Sequence, residues 1–155
     1  MPANRNFSHN SNFFFQTNLF AEEETSYAIQ ECNLPGMNFS HIQIASSAVF
    51  GNMEGDTVTY NDLIISLIID EDLVVWKEII NKMQRMRNPI TSEGELIKKM
   101  GYLEIHDDDS NPILKIEFTD MMVEVIDDLN YNTTDEDEVI TCTVTLRYDY
   151  YTIIY

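Results

Sequence analysis

Three side chains that could bind a divalent cation lie close together in the second half of the chain. Asp107, Asp109 and Asn111 occupy the first, third and fifth positions of an EF-hand calcium loop. Such a loop requires Gly at its sixth position and a bidentate carboxylate at its twelfth. Pro112 and Phe118 stand at those two positions. We therefore expect a solvated turn between strands and no calcium site.

The acidic run Asp135–Glu138 is the other candidate for cation binding. Carboxylates on four adjacent loop residues diverge, whereas a catalytic metal site needs carboxylates that converge on one ion. The eight methionines are more typical of core positions, where they fill gaps, than of a cofactor site. We expect no metal and no cofactor.

Two cysteines and three histidines could support nucleophilic catalysis: Cys32, Cys142, His9, His41 and His106. Neither cysteine has the Gly or helix-start context that lowers a thiol pKa, or a partner at zinc-ligand spacing. The sequence has no glycine-rich phosphate loop and no nucleophile elbow. We expect two buried free thiols and no enzymatic activity, with a Cys–His pair left open as the alternative.

Length and charge exclude several classes of protein. The chain has 155 residues, enough for one domain with one core. Its 9 Lys and Arg residues against 27 Asp and Glu residues give a formal net charge of −18, which repels nucleic acid and anionic membranes and excludes a reader of duplex DNA. The longest nearly unbroken apolar run, Leu63–Ile69, is interrupted by Ser66 and is far shorter than the roughly 20 residues of a membrane span. Because Met1–Asn12 does not resemble a secretion signal, we expect synthesis in the cytoplasm.

Apolar residues with a period of two predict strands in the first part of the chain. Phe13–Leu19 and Tyr27–Asn33 are expected to pair as a hairpin. A third strand, Phe39–Ala45, places His41 and Gln43 together on a polar face.

The next segment, Ser46–Thr57, contains two glycines and shows no sustained period, which predicts a loop of about 12 residues. A fourth strand is expected over Val58–Ile69. The end of that strand is apolar on both faces, as in a strand that is covered on two sides.

One segment, Glu71–Arg87, has the apolar spacing of an amphipathic helix. Asp70 is expected to cap its N-terminus, and Asn88 and Pro89 to end it. The stripe that should pack the helix on the core consists of Leu73, Trp76, Ile79, Ile80, Met83 and Met86, with Leu73, Trp76, Ile80 and Met83 as the main contacts.

The remaining pattern predicts a second hairpin, a short strand and a closing strand. The hairpin comprises Tyr102–His106 and Ile113–Phe118, and the short strand Met121–Ile126. In the closing strand, Val139–Tyr151, a polar face alternates with an apolar one; the polar residues are Thr141, Thr143, Thr145, Arg147 and Asp149. The expected fold is mainly β with one packed α-helix, in a single domain (1–155) preceded by a polar N-terminal arm over residues 1–11.

Read in order, several of these segments resemble the tail tube proteins of contractile-tailed bacteriophages, a tube-forming family shared with pyocins, extracellular injection systems and type VI secretion. The segments are Asn12–Phe20, Asn33-Leu34-Pro35-Gly36, Tyr60-Asn61-Asp62-Leu63, Ile68-Ile69-Asp70-Glu71-Asp72-Leu73 with Trp76, and Val144-Thr145-Leu146-Arg147-Tyr148-Asp149-Tyr150-Tyr151. The resemblance implies an antiparallel β-sandwich or barrel protomer that contributes strands to a ring-wide inner β-barrel.

The resemblance also implies hexameric rings that stack into a tube within the virion, through which the genome passes without specific binding. The implied partners are further copies of the chain, the tail sheath, a baseplate or initiator ring, the tape measure protein and a tail terminator. The long loop would then contact the next ring through Val49, Phe50, Met53, Glu54 and Asp56. The polar strand faces would line the bore through His41, Gln43, Thr141, Thr143, Thr145, Arg147 and Asp149.

One departure from the family pattern leaves a specialised ring open as an alternative. Family members often have an aromatic-Pro pair after the strand matching Ile113–Phe118, whereas this chain has Thr119-Asp120-Met121-Met122. A tube initiator, a ring at one end of the tail, or the tube of a related injection system would each accommodate this change.

Two other classes of protein also fit the net charge of the chain: an acidic DNA-mimic inhibitor and a monomeric adaptor or immunity-type binding module.

Overall fold

The computed structural model describes residues 12–19, 29–45, 50–86, 99–134 and 138–155. Within them the chain forms ten strands, arranged in three antiparallel sheets, and one helix, which confirms the predicted fold class. No helix in these ranges is long and apolar enough to cross a membrane. The strands are β1 Phe13–Thr17, β2 Ile29–Cys32, β3 Met37–Ala45, β4 Phe50–Tyr60, β5 Leu63–Ile68, β6 Met100–His106, β7 Pro112–Thr119, β8 Met122–Ile126, β9 Thr141–Arg147 and β10 Tyr150–Ile153, and the helix is α1 Val74–Met86.

Some predictions fall outside the described residues. They are the N-terminal arm 1–11, the first residues of the predicted loop (46–49, which include Val49), the last helical residue Arg87, the helix stop Asn88-Pro89, and the acidic residues 135–137.

The first sheet has the strand order β1-β6-β7-β10. Its β6–β7 hairpin confirms the prediction, and the Asp107 carboxylate holds the turn by accepting the backbone N–H groups of Asn111 at 2.8 Å and Asp109 at 3.0 Å. The Asn111 N–H is the main reason that the pKa of Asp107 lies below its usual range. The carboxylate therefore organises the turn itself.

The predicted hairpin between the first two strands is wrong. β1 pairs with β6, which places Phe15 opposite Leu103, and β2 pairs with β5 in the second sheet. Phe15 and Leu103 are both buried in the core. The apolar face of β1 is therefore covered by strands that are distant in sequence, and local spacing does not reveal such a partner.

The second sheet has the order β2-β5-β9-β8, and one of its faces forms much of the core. Alternate residues of β5 and β9 point into this core, together with residues of the first sheet such as Phe118 and Ile116. The buried residues of β5 and β9, each at most 1% exposed, are Leu63, Ile65, Leu67, Cys142, Val144 and Leu146. The two sheets thus share one core as a β-sandwich.

The third sheet is the β3–β4 hairpin, and it corrects the prediction of a loop over Ser46–Thr57. From Phe50 onward this segment is strand β4, whose partner is β3. A strand exposed on both faces has no buried side to impose an alternating pattern, so its sequence resembles a loop. Gly55 sits at the irregularity in this pairing, where a Cβ would lie 2.8 Å from the Ser40 carbonyl oxygen.

Two long predicted strands are each divided between two sheets. Val58–Ile69 is the end of β4 and then β5, separated at Asn61-Asp62. Val139–Tyr151 becomes β9 and β10, separated at Tyr148-Asp149. Both breaks are places where the chain leaves one sheet for another.

The helix is confirmed, although it begins at Val74 instead of Glu71. The N-cap residue is therefore Leu73 and not Asp70 as predicted. The Asp70 carboxylate still accepts a free backbone N–H of the first turn, that of Val74, at 3.2 Å. Leu73, directly before the helix, has a positive φ of 53°. The residues of the helix buried in the core are Val75 and Ile79.

The predicted packing stripe is therefore displaced to one side. Trp76 and Met83 are half-buried against the core, and Leu73 and Ile80 are half-buried too. The predicted stripe included the buried Ile79 but missed Val75, because the three-and-four spacing fits either stripe.

Candidate assembly surfaces

The outer face of the second sheet carries a row of threonines. Thr141, Thr143 and Thr145 alternate along β9 with the buried core residues, and Thr143 lies directly opposite Ser66 of β5. We call the three threonines together with Arg147 the threonine face. Of the five polar residues predicted to share one face of the closing strand, these four lie on it, whereas Asp149 lies beyond the end of β9. This face lies on the opposite side of the sheet from the core.

Arg147 is the cation of the threonine face, and two acidic residues neutralise it. Its Nε lies 3.2 Å from Oε2 of Glu124 and 3.6 Å from Oδ1 of Asp62. Asp149 lies beyond the end of β9, where its backbone N–H donates to the Thr119 carbonyl oxygen. The Arg147 side chain is 60% exposed, so the pairs cancel charge more than they add stability.

His41 and Gln43 do not join this face. They lie on β3 in the separate hairpin, opposite Glu54 and Asn52 of β4, and all four side chains are exposed. The sequence correctly places His41 and Gln43 on one side of their strand. The sequence pattern does not reveal that β3 and β9 belong to different sheets.

The β3–β4 hairpin presents large apolar side chains to solvent. Ile42 lies opposite Met53, and Phe39 lies opposite Val58. Phe39 is 64% exposed, Ile42 57% and Met53 56%. We call these four residues the hairpin patch. Single exposed apolar residues are ordinary, whereas several on one hairpin indicate an interaction surface.

Three of the five residues predicted to contact a neighbouring ring, Met53, Glu54 and Asp56, lie exposed on β4. Phe50 begins the strand, and its side chain is not described. The prediction did not include Phe39 and Ile42. Ile42 lies on the side of β3 opposite the polar residues His41 and Gln43, and this alternation was a usable signal.

Both large sheets end in strands that have one unpaired side among the described residues. The outer strands are β2 and β8 in the second sheet and β1 and β10 in the first. The pairing of β8 with β9 is irregular between Val123 and Val125. Outer strands of this kind can pair with another chain unless something blocks them.

The two thiols are free, and burial makes both poor nucleophiles. Burial raises the pKa of Cys32 to about 12 and also raises the pKa of Cys142. In the described ranges, no group of three or more His, Cys, Asp and Glu side chains is arranged to hold a metal ion.

The described architecture is an antiparallel β-sandwich with open outer strands, one packed helix and an exposed apolar hairpin. Comparison with solved structures confirms the family resemblance at the level of fold. A chain in the PVC sheath/tube terminator of an extracellular contractile injection system, in the extended state, has a TM-score of 0.70 at 11% identity, covering 99% of this chain and 100% of that chain.

Two further similar chains come from related machines. One, in the tube-terminating cap of the anti-feeding prophage, has a TM-score of 0.63 at 13% identity over 99% of this chain and 94% of that chain. Another, a type six secretion system protein, has a TM-score of 0.53 at 12% identity over 92% and 82%. The sequence matches no protein-family model and no curated protein. The similarity between this chain and the solved structures is therefore a similarity of fold.

Proposed function

We propose that this protein is a non-enzymatic structural subunit that closes into hexameric rings, which stack into the inner tube of a contractile tail. The observation that carries the proposal is the four-stranded sheet with two open outer strands, in a fold similar to chains from tube and terminator assemblies. The tube belongs to a phage virion and conducts the genome during ejection.

The direction of the strands supports ring closure. All neighbours in the β2-β5-β9-β8 sheet are antiparallel, and the number of strands is even. β2 and β8 therefore run in opposite directions. Rotation about a ring axis preserves strand direction, so β8 of one protomer meets β2 of the next in an antiparallel arrangement. A closed barrel built this way removes the open edges.

In this arrangement the threonine face lines the bore. Thr141, Thr143 and Thr145 offer hydroxyl groups to water, while Glu124 and Asp62 offset the charge of Arg147. Phosphate groups bind strongly where they find free cations. A bore whose arginine is already neutralised lets a polyanion pass without being held.

The hairpin patch supports stacking between rings. Its apolar residues extend the set inferred from the resemblance, which comprises Val49, Phe50, Met53, Glu54 and Asp56. Burial of Phe39, Ile42 and Met53 against the next ring would remove their exposed apolar surface from water. His41 and Gln43 would line the wet side of the same contact, and the helix with Trp76 would lie outside the barrel.

The proposed partners follow from this role. They are further copies of the chain, the tail sheath, a baseplate or initiator ring, the tape measure protein and the tail terminator. One of the similar chains comes from a baseplate and another from a sheath-tube complex, which supports the sheath and baseplate as partners. After synthesis in the cytoplasm, the protein would reside in the assembled tail.

A second candidate role is a specialised ring at one end of the tube, or the tube of a related injection system. Two of the similar chains belong to terminator or cap structures. The Thr119-Asp120-Met121-Met122 segment, which departs from the family pattern, also favours a specialised ring. A terminal ring would stop at single rings or short stacks, whereas the main tube subunit would form long tubes.

Electron microscopy of the purified protein tests both roles. We expect rings of six with stacked tubes, and a hairpin variant, Ile42→Glu, that still forms rings but stacks at least tenfold less. Val139→Glu places the same charge at a comparably exposed apolar position outside the hairpin and should stack normally. If the purified protein elutes as a monomer and shows no rings, this result would contradict the proposal. It would favour a binding module or DNA mimic.

A further inference from the structure

An open groove separates helix α1 from the irregular segment that follows β8. The groove has a volume of about 530 Å³, and its floor is mostly apolar. The apolar side chains that line it are Leu73, Trp76, Ile80, Ile126, Leu129 and Tyr131. A second depression of about 460 Å³ continues it past Tyr131 toward Val139.

The rim of the groove carries negative charge with no counter-ion among the described residues. Asp127 and Asp128 line it, and Glu138 lines the adjoining depression. No described lysine or arginine forms an ion pair with Asp127 or Asp128, whereas Glu104, Glu124 and Asp62 elsewhere each have a basic partner. The negative charge of the rim is therefore available to attract a cationic group of a binding partner.

We propose that this groove, bounded by Trp76, Leu129 and Asp128, is a docking site for a basic amphipathic segment of a partner protein. The segment inserts apolar side chains over Trp76 and places lysine or arginine side chains against Asp127 and Asp128. Trp and Tyr are the residues that most often dominate the affinity of such contacts. A groove with an apolar floor is a common receptor for a short amphipathic helix.

Other occupants fit the groove less well. Nucleic acid and anionic lipid carry the same sign of charge as the rim, so both are repelled. A second copy of this chain is a poor source of a basic segment, because the chain has 9 basic residues and 27 acidic ones. The inference does not depend on ring formation, because every residue of the groove belongs to one protomer.

The tryptophan supplies a direct measurement, since Trp76 is the single tryptophan of the chain. The probe is a twelve-residue peptide without tryptophan that places leucine and lysine on opposite faces of a helix. Titration into the full-length protein should shift Trp76 emission to shorter wavelength. Two control peptides, with glutamate for lysine and with serine for leucine, should produce no shift.

Matched variants separate the groove from general attraction to an acidic protein. Asp127→Asn with Asp128→Asn should weaken binding about fivefold or more, and Tyr131→Ser should weaken it similarly. Asp109→Asn with Asp120→Asn removes the same charge far from the groove, and Tyr150→Ser removes an exposed tyrosine elsewhere; both should leave the affinity unchanged.

Two results would overturn the proposal. One is an equal loss of affinity in the Asp127/Asp128 and Asp109/Asp120 double variants, which would show attraction to net charge alone. The other is the absence of any emission shift on adding the lysine-leucine peptide. The affinity of the variants and the emission shift can both be measured whether the protein is present as rings or as monomers. A failure to form rings is therefore distinguished from a failure to bind the peptide.

Discussion

The hydroxyl group of Tyr148 donates a hydrogen bond to the backbone carbonyl oxygen of Asn61, across a distance of 2.7 Å. The contact joins two points where the chain changes sheets. Asn61 lies between β4 and β5, and Tyr148 lies between β9 and β10. The Tyr148 ring also packs edge-on against Phe118 of the first sheet, with 4.8 Å between ring centroids. One side chain thus links both crossings to the core.

Removing this hydroxyl should weaken the link. Tyr148→Phe is expected to lower the free energy of unfolding by about 1 kcal/mol, because the Asn61 carbonyl loses its protein partner while the ring packing remains. Urea unfolding measures the change. Tyr150→Phe is the matched control, since Tyr150 is half exposed and makes no hydrogen bond through its hydroxyl among the described residues. Equal stability of the wild-type protein and Tyr148→Phe would show that the contact contributes nothing.

Alkaline pH should destabilise the fold through Cys32. Burial raises the pKa of Cys32 to about 12, whereas an unfolded thiol has a pKa of about 8.5. The folded state therefore keeps its proton where the unfolded state loses it. This contribution is complete below about pH 8.5 and declines as pH rises toward 12, by at most about 1.4 kcal/mol per pH unit.

Unfolding measured between pH 8 and 11 tests this expectation. Cys32→Ala and Cys32→Ser should both show a shallower loss of stability with pH than the wild-type protein. Their agreement would separate ionisation from the loss of thiol packing. The pKa values of Cys142 and Tyr148 are also raised, mainly by burial, so part of the alkaline loss should remain in both variants. An unchanged slope in both Cys32 variants would rule out the thiol as its source.

The hairpin should depend on Gly55 and tolerate substitution at Gly51. A Cβ at Gly55 would meet the carbonyl of Ser40, whereas a Cβ at Gly51 would have no atom within 4 Å. We expect Gly55→Ala to speed amide hydrogen exchange in β3 and β4 about tenfold, with little effect on the sandwich. Gly51→Ala should exchange at the wild-type rate. Similar exchange in both variants would show that the close approach does not constrain the hairpin.

Assembly of the proposed rings should accelerate with salt. Each protomer carries a formal charge of −18, so ring closure and stacking bring like charges together. At an ionic strength of 0.15 M the screening length is about 8 Å, which leaves part of this repulsion in place. Light scattering from the purified protein should show faster polymerisation as salt rises. A rate that falls with salt would indicate that attraction between opposite charges drives assembly.

Local pattern was enough to predict the elements whose partners are close in sequence. Burial on one side imposes a period of two on β9 and a spacing of three and four on the helix, and a short turn dictates the β6–β7 pairing. The sequence by itself therefore determined the mainly β class, the helix, and the shared face of Thr141, Thr143 and Thr145.

Only the tertiary structure decided which strands meet. β1 lies beside β6 because Phe15 and Leu103 bury their side chains in the same core, and nothing local records that contact. The same holds for the sheet changes at Asn61 and Tyr148, and for the pairing of Arg147 with Glu124. The part of β4 before Val58 was missed for a different reason: its exposed faces impose no apolar period, because only burial selects for one.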